Sequence, residues 1–211
     1  DKTQIAFEML STKLIRSHLE RFKNLVNSWI HQLLDRITSN DSTILRRSAG
    51  LPFAFEALLK GETSKSSYPL LKLLITKLVD IAGPKSPYDA IPRVHAINIL
   101  RHLIRNNVIG ERTFIFVEDM FIMALDGFES SDWAIRNASL MLYTSLIGRV
   151  LGSATHRGQT TSVREFLAKY PTLRDYLYKK LILATKSSKG HQLHPNLHPI
   201  LLLISKMTPS S

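Results

Sequence analysis

Four groups of residues in this 211-residue chain have types and spacings that could do chemistry. His191, His194 and His198 recur at steps of three and four, a spacing at which imidazoles can share a divalent metal. Pro195 and Pro199 interrupt them, no carboxylate lies close by in sequence, and there is no cysteine to complete a tetrahedral set. They therefore read as loop and helix-start histidines that add positive charge below neutral pH, and no metal is expected. The second group is His95, Asn98, Arg101, His102 and Arg105, which fall at helical steps opposite an aliphatic face. Such a stripe can hold phosphate or an acidic partner; a solvated helix face has the same pattern, and the residues alone leave both open.

The third group is Phe128 to Asn137. Ser130 or Ser131 can cap a helix there, Arg136 can pair with Asp132 at i,i+4, and Trp133 reads as a packing anchor ahead of a base-stacking platform. Asn137 leans inward and would need a partner such as a loop carbonyl. The fourth is Arg46-Arg47-Ser48-Ala49-Gly50-Leu51-Pro52, in which two arginines run into three small residues and a proline. The small residues would let another backbone approach, at a cost of about 1 kcal/mol for a glycine inside a helix. Pro52 removes the hydrogen bond its amide would give to Ser48, so a kink or break is expected. A functional site and a tight helix crossing with solvated arginines both fit this stretch.

Absent motifs narrow the chemistry further. No glycine-rich dinucleotide turn, phosphate-binding loop, His-Glu-x-x-His or nucleophile elbow occurs, and nothing could hold S-adenosylmethionine as an α/β methyltransferase does. The chain reads as non-catalytic. Lack of cysteine rules out disulfide staples and a thiol nucleophile and fits a reducing compartment, with the cytoplasm as the expected location. Lysine and arginine number 28 against 17 aspartate and glutamate, a formal charge of +11, and the pI is near 10.0. That is the balance expected of a partner for polyanions, and its spread along the chain points to a folded basic surface. No apolar run reaches the ~18 residues that would span a bilayer and no signal-peptide pattern opens the chain, which reads as a fragment of something longer.

The elements that must position these groups are helices. Ile5, Met9, Leu14, Ile15, Leu19, Phe22, Leu25, Val26, Trp29, Ile30, Leu33 and Leu34 mark one long helix over 3–37, broken at most once. A helix carrying the arginine pair runs to about Lys60. Further helices are predicted at 70–81, 93–105 and 111–126, then over a stretch bearing Trp133, Leu140, Met141, Ile147 and Val150, and finally at 162–170, 172–186 and 197–207. Val94, Ile97, Leu100, Leu103 and Ile104 face inward, and Gly83 to Pro92 is a proline-rich loop. The fold class is therefore all-α, an α-solenoid of HEAT- or armadillo-like helix pairs, with 1–211 as a single helical-repeat segment.

Arg46 to Pro52 also resembles the signature heptad of the THADA family, large helical-repeat proteins that are non-catalytic partners of an FtsJ-type tRNA ribose methyltransferase. Further blocks are similar in the same order: Val94 to Arg101, Gly127 to Ser130 with Trp133 to Ser139, Leu142 to Gly152, Tyr170-Pro171, and His198 to Leu203. Together they cover roughly 42–207. The resemblance implies a regulatory subunit that positions tRNA while the FtsJ-type partner methylates the ribose 2′-hydroxyl at the first anticodon-loop nucleotide (nucleotide 32). S-adenosylmethionine and the catalytic residues would then sit on that partner, with no cofactor here. Under this reading Arg46, Arg47, His95, Asn98, Arg101, Arg105 and Arg136 are the candidates for meeting tRNA or the methyltransferase. Ser48, Ala49, Gly50, Leu51, Pro52, Trp133 and Asn137 are the candidates for shaping the surface. The competing reading is a HEAT-type protein–protein scaffold whose basic surface serves an acidic protein.

Overall fold

Proline and buried carboxylates punctuate the helices. A computed structural model describes residues 2–17, 19–39, 50–62, 68–155, 161–186 and 194–209. Its helices are α1 (Lys2–Arg16), α2 (Glu20–Thr38), α3 (Leu51–Lys60), α4 (Pro69–Ala82), α5 (Ala90–Arg105) and α6 (Ile109–Arg112). After a 3-10 turn at Thr113–Phe116 come α7 (Val117–Gly127), α8 (Trp133–Thr155), α9 (Val163–Lys169), α10 (Pro171–Lys186) and α11 (Leu197–Ser205). Among the described residues the only β pairing is one isolated parallel bridge, Ser162 with Thr208. The fold is all-α.

The chain forms two compact units, 1–114 and 115–211. In the first, α3 packs on α1, α2 and α5, and α4 packs on α5. Phe55, Leu58, Leu59, Leu74, Leu78, Ile97, Leu100 and Leu103 form its core. Glu62 is buried and accepts hydrogen bonds from the Leu70 and Leu71 amides at 2.7 and 3.1 Å, so it caps α4 from outside the helix. Burial raises its carboxyl above the ordinary range, against the pull of those two amides and the nearby Arg112 charge. The Arg112 guanidinium donates to the carbonyls of Leu59 and Glu62 at 3.1 and 2.7 Å, closing the other end of α3.

In the second unit α8 packs on α7, α7 on α10, and α10 on α9 and α11. Phe121, Tyr143 and Phe166 stack edge-on in its centre, and the Tyr143 hydroxyl donates to the Pro199 carbonyl at 2.6 Å. The α7–α8 crossing depends on a glycine. A Cβ at Gly127 would lie 2.0 Å from Ser139 Oγ and 2.8 Å from its Cβ. Ser162 and Glu165 close a capping box at α9. Within each unit the packing of neighbouring helices is of the α-solenoid kind.

Several expectations shift. The first helical stretch has the one break its pattern allowed, giving α1 and α2, but Ile5, Met9, Leu19 and Leu25 are exposed while Val26, Ile30, Leu34 and Ile37 are buried. The predicted 111–126 helix is interrupted by the 3-10 turn, where Thr113 Oγ1 donates back to the Gly110 carbonyl at 2.7 Å. Pro52 sits in the first turn of α3, a position where a proline costs that helix no hydrogen bond; Ser48, the acceptor expected to lose its donor, lies outside the described residues. Gly50 is the exposed residue before α3, and among the described residues nothing lies within 4 Å of a Cβ placed there, so these residues show no close helix crossing at it. Leu51 is buried. Arg46, Arg47, Ser48 and Ala49 lie outside the described residues.

The largest difference concerns α8. Trp133, Leu140 and Met141 are exposed, Trp133 at 69%, whereas Ile135, Ala138, Leu142, Tyr143 and Leu146 are buried. Trp133 is therefore not a packing anchor. Between Trp133 and Gly152 the only charged residues are Arg136 and Arg149, so periodicity marks no polar face and the predicted frame falls on the wrong side. Asn137 is exposed, not inward-leaning. Asp132, not a serine, caps α8: its Oδ1 accepts from the Ala134 amide at 2.7 Å. With that carboxylate so engaged, the Arg136 guanidinium instead donates to the Ser130 and Ser131 carbonyls, both at 2.8 Å.

Candidate functional site

Residues brought together by α3 and α5 form the candidate site. An open cleft of ≈ 440 Å³ is lined by Pro52, Asn98, Arg101, His102, Arg105 and Asn106. Five of these came from the predicted polar stripe or the signature heptad's last residue: Pro52, Asn98, Arg101, His102 and Arg105. His95, from the same stripe, is not among the lining residues. Its Nε2 is buried without a hydrogen-bond partner, and burial lowers its pKa, which favours the neutral ring.

His102 is fixed from behind. Its Nε2 lies 2.5 Å from Glu56 Oε2, and its ring packs edge-on against Phe53 with centroids 4.8 Å apart. Glu56 is 6% exposed and also receives Lys60 Nζ at 2.9 Å, while Lys60 reaches Glu8 on α1 at 3.0 Å. Burial alone would raise the Glu56 carboxyl; the hydrogen bonds and charges of Lys60 and His102 overcome it and hold the group below its ordinary value. The Glu56 hydrogen bond in turn raises Lys60 against burial, with Glu8 adding to the effect. This joint was missed in the sequence, although a lone carboxylate in the apolar run Phe55-Glu56-Ala57-Leu58 with lysine four residues on is its signal.

Arg101 and Arg105 differ from every cation of that joint. Neither makes an ion pair or a hydrogen bond among the described residues, and Arg101 Nε is buried without an acceptor. A buried charged donor of this kind calls for an acceptor. Among the described residues no acidic side chain lines the cleft. Its chemistry is that of an anion site.

The second unit holds a different cluster. Asp126 Oδ1 accepts from the Tyr176 hydroxyl at 2.5 Å and lies 3.4 Å from Lys180 Nζ. Glu129 pairs with Lys180 and accepts from Asn196 Nδ2 at 2.5 Å. Burial, ahead of the Asp126 and Glu129 charges, pushes the Tyr176 hydroxyl far up, so it stays protonated as a donor. The cluster ties α7 to α10 and to the start of α11. Its partners stand 50 to 67 residues apart, beyond the reach of local pattern. His194 Nε2 lies 3.9 Å from Glu129 Oε1. His198 is exposed and His191 lies outside the described residues. No three histidine, aspartate or glutamate side chains gather as a metal set among the described residues.

Helix-on-helix packing, with a basic cleft in the first unit, defines the class: an all-α protein of helical-repeat type. Residues 1–134 match the family model described as THADA/TRM732, DUF2428, and 136–211 match that described as Trm732, C-terminal TPR repeats. The chain belongs to the THADA/TRM732 family. It is 37% identical, over 97% of its length, to the "tRNA (32-2′-O)-methyltransferase regulator THADA" of Gallus gallus. Identity to the human protein of the same name is 33% over 94% of the chain. For the "tRNA (32-2′-O)-methyltransferase regulator trm732" of Schizosaccharomyces pombe it is 30% over 92%. The chain spans only 11%, 11% and 14% of the lengths of these three relatives. No solved structure matches it significantly.

Proposed function

We propose that this chain is the tRNA-positioning part of a non-catalytic tRNA methylation factor. It works in the cytoplasm with an FtsJ-type methyltransferase, which carries S-adenosylmethionine and modifies the ribose 2′-hydroxyl of nucleotide 32. The observation that carries this is the pair Arg101 and Arg105, unpaired in a cleft with no acidic lining. The names of its relatives as regulators of that methyltransferase supply the reaction. Phosphate contacts fix the register of a nucleic acid without reading its sequence, and holding a substrate in productive geometry can itself remove several kcal/mol from a barrier. Arg46 and Arg47 are assigned to the same task.

The test is ribose methylation at nucleotide 32 by the FtsJ-type enzyme, alone and with the full-length protein. Methylation that depends on the protein, and falls with Arg46→Ala/Arg47→Ala while methyltransferase binding persists, supports the proposal. Methylation by the protein without the enzyme, or indifference to its presence, refutes it. The exposed, nearly uncharged face of α8, with Trp133, Leu140 and Met141, favours a second reading as a protein–protein scaffold. A scaffold would bind its partner with little salt dependence, whereas phosphate contacts give a steep one.

A further inference from the structure

We propose that the cleft between the start of α3 and the last turns of α5 is a ribonucleotide-backbone subsite, in which Arg101 and Arg105 take one phosphodiester and the Asn98 amide takes the adjoining ribose 2′-hydroxyl. This deepens the reading above and rests on it for RNA as the ligand.

The lining residues divide by availability. His102 is held by Glu56 and Phe53 and forms a wall. Asn106 Oδ1 accepts from the Val108 and Ile109 amides at 2.9 and 3.0 Å, which fixes it in the turn after α5. Arg101, Arg105 and Asn98 remain, none with an ion pair or hydrogen bond among the described residues. Steps of three and four residues place them as successive neighbours on one helix face, with Cβ atoms about 5–6 Å apart. That is the scale on which a ribose hydroxyl stands from its own phosphate. Arginine forks match phosphate oxygens, and Arg101 and Arg105 both line the cleft with no acceptor among the described residues. An amide both donates and accepts, as does a 2′-hydroxyl, the group by which a protein distinguishes RNA from DNA. An acidic protein would satisfy the arginines but leave Asn98 without this role. Arg105 also lies in the last turn of α5, where a cation favours the helix end; the readouts below do not move with that effect.

The experiment uses the full-length protein with a labelled anticodon stem–loop RNA and its all-deoxy counterpart, titrated over a range of salt without methyltransferase. Arg101→Gln/Arg105→Gln should weaken RNA binding about tenfold and flatten the log–log salt slope by about 0.7, the share of one phosphate on a single strand. Asn98→Ala should keep the slope and cut the preference for RNA over DNA by about fivefold, the scale of one hydrogen bond. Arg105 is exposed, so Arg105→Gln alone is the variant that preserves the fold, and it should lose affinity in the same direction. Unchanged affinity and slope in the arginine variants overturn the subsite. So does an Asn98→Ala loss that is equal for RNA and DNA, or arginine variants that lose only methyltransferase binding. A protein that binds RNA here yet does not affect methylation refutes the function while the subsite stands. Protein-dependent methylation with cleft variants that bind RNA normally does the reverse.

Discussion

Replacing Glu56 by glutamine tests the joint behind the cleft wall. The amide keeps the side chain's size and one acceptor but loses the charge that faces Lys60 Nζ at 2.9 Å and His102 Nε2 at 2.5 Å. A hydrogen bond to a charged group contributes about 1.5–3 kcal/mol. Lys60 and His102 are each 26% exposed, and Lys60 keeps its contact with Glu8, so solvent and the second carboxylate recover part of the loss. The expected cost is about 2 kcal/mol, equivalent to roughly 30-fold faster exchange of amides that open with α3.

The pH dependence has a definite sign. The Glu56 carboxyl is held below its ordinary value of 4.5 in the folded protein. Its contribution is therefore complete above that value and is lost as pH falls through the folded pKa. Amide hydrogen exchange read on 51–60 in the full-length protein, corrected for intrinsic rates, should show Glu56→Gln exchanging faster at pH 7. The gap should narrow as pH falls below 4.5 and close once it has passed through the depressed folded pKa, where the wild-type carboxyl is itself neutralised. Equal protection at pH 7, or a gap that persists unchanged into acid, would refute the account of Glu56 as a charged, buried joint.

Gly127→Ala should destabilise the second unit by roughly 2 kcal/mol or more, because the new methyl meets Ser139 at the α7–α8 crossing and overpacking costs about 1–3 kcal/mol. Exchange on 117–127 reads it, and added Ser139→Gly should recover part of the loss. Glu62→Ala should expose α4 amides at a cost of about 1–2 kcal/mol, the size of a lost N-cap. Glu62→Gln, which retains an acceptor, should cost less. Because burial raises the Glu62 carboxyl, its ionisation works against the fold, so its own contribution to stability falls as pH rises through the folded pKa. Trp133→Ala should change stability by less than about 0.5 kcal/mol, as expected of an exposed site. A larger loss in exchange protection around 133–143 would restore Trp133 as an anchor.

Legibility in the sequence followed how far each residue's environment was set by near neighbours. Helices α4, α5 and α10 were visible because apolar residues with three- and four-residue spacing faced a polar remainder. Helix α8 was visible as a helix, but its buried side was not, since almost every turn is apolar or neutral. The basic stripe on α5 could be read, although the removal of His95 from it and the locking of His102 could not. Both depend on burial, and the latter on Glu56, 46 residues earlier. Arg136 was misassigned because a short Asp132 side chain satisfied its own helix amides first. Pro52 could be placed only as a helix disruptor, whereas its position in the first turn of α3 follows from where that helix starts.

The sequence's charge of +11 overstates what a polyanion could use, since pairing decides which cations are available. Lys60 sits between Glu8 and Glu56, and Lys180 between Asp126 and Glu129. Arg112 and Arg136 close helix ends and turns through carbonyl oxygens. Removing any of these would disturb packing first and binding only as a consequence. Arg101 and Arg105 carry no such duty among the described residues, which makes them the informative pair: Arg105 is exposed, so its loss can change affinity for an anion while leaving both helix packing and the Glu56 joint intact. The neutral face of α8 belongs to the other compact unit and contains no comparable free cation. On the proposed reading, RNA contact and protein contact are therefore separable by mutation, and a variant at Arg101 or Arg105 that abolishes methylation through lost protein contact alone would contradict that separation.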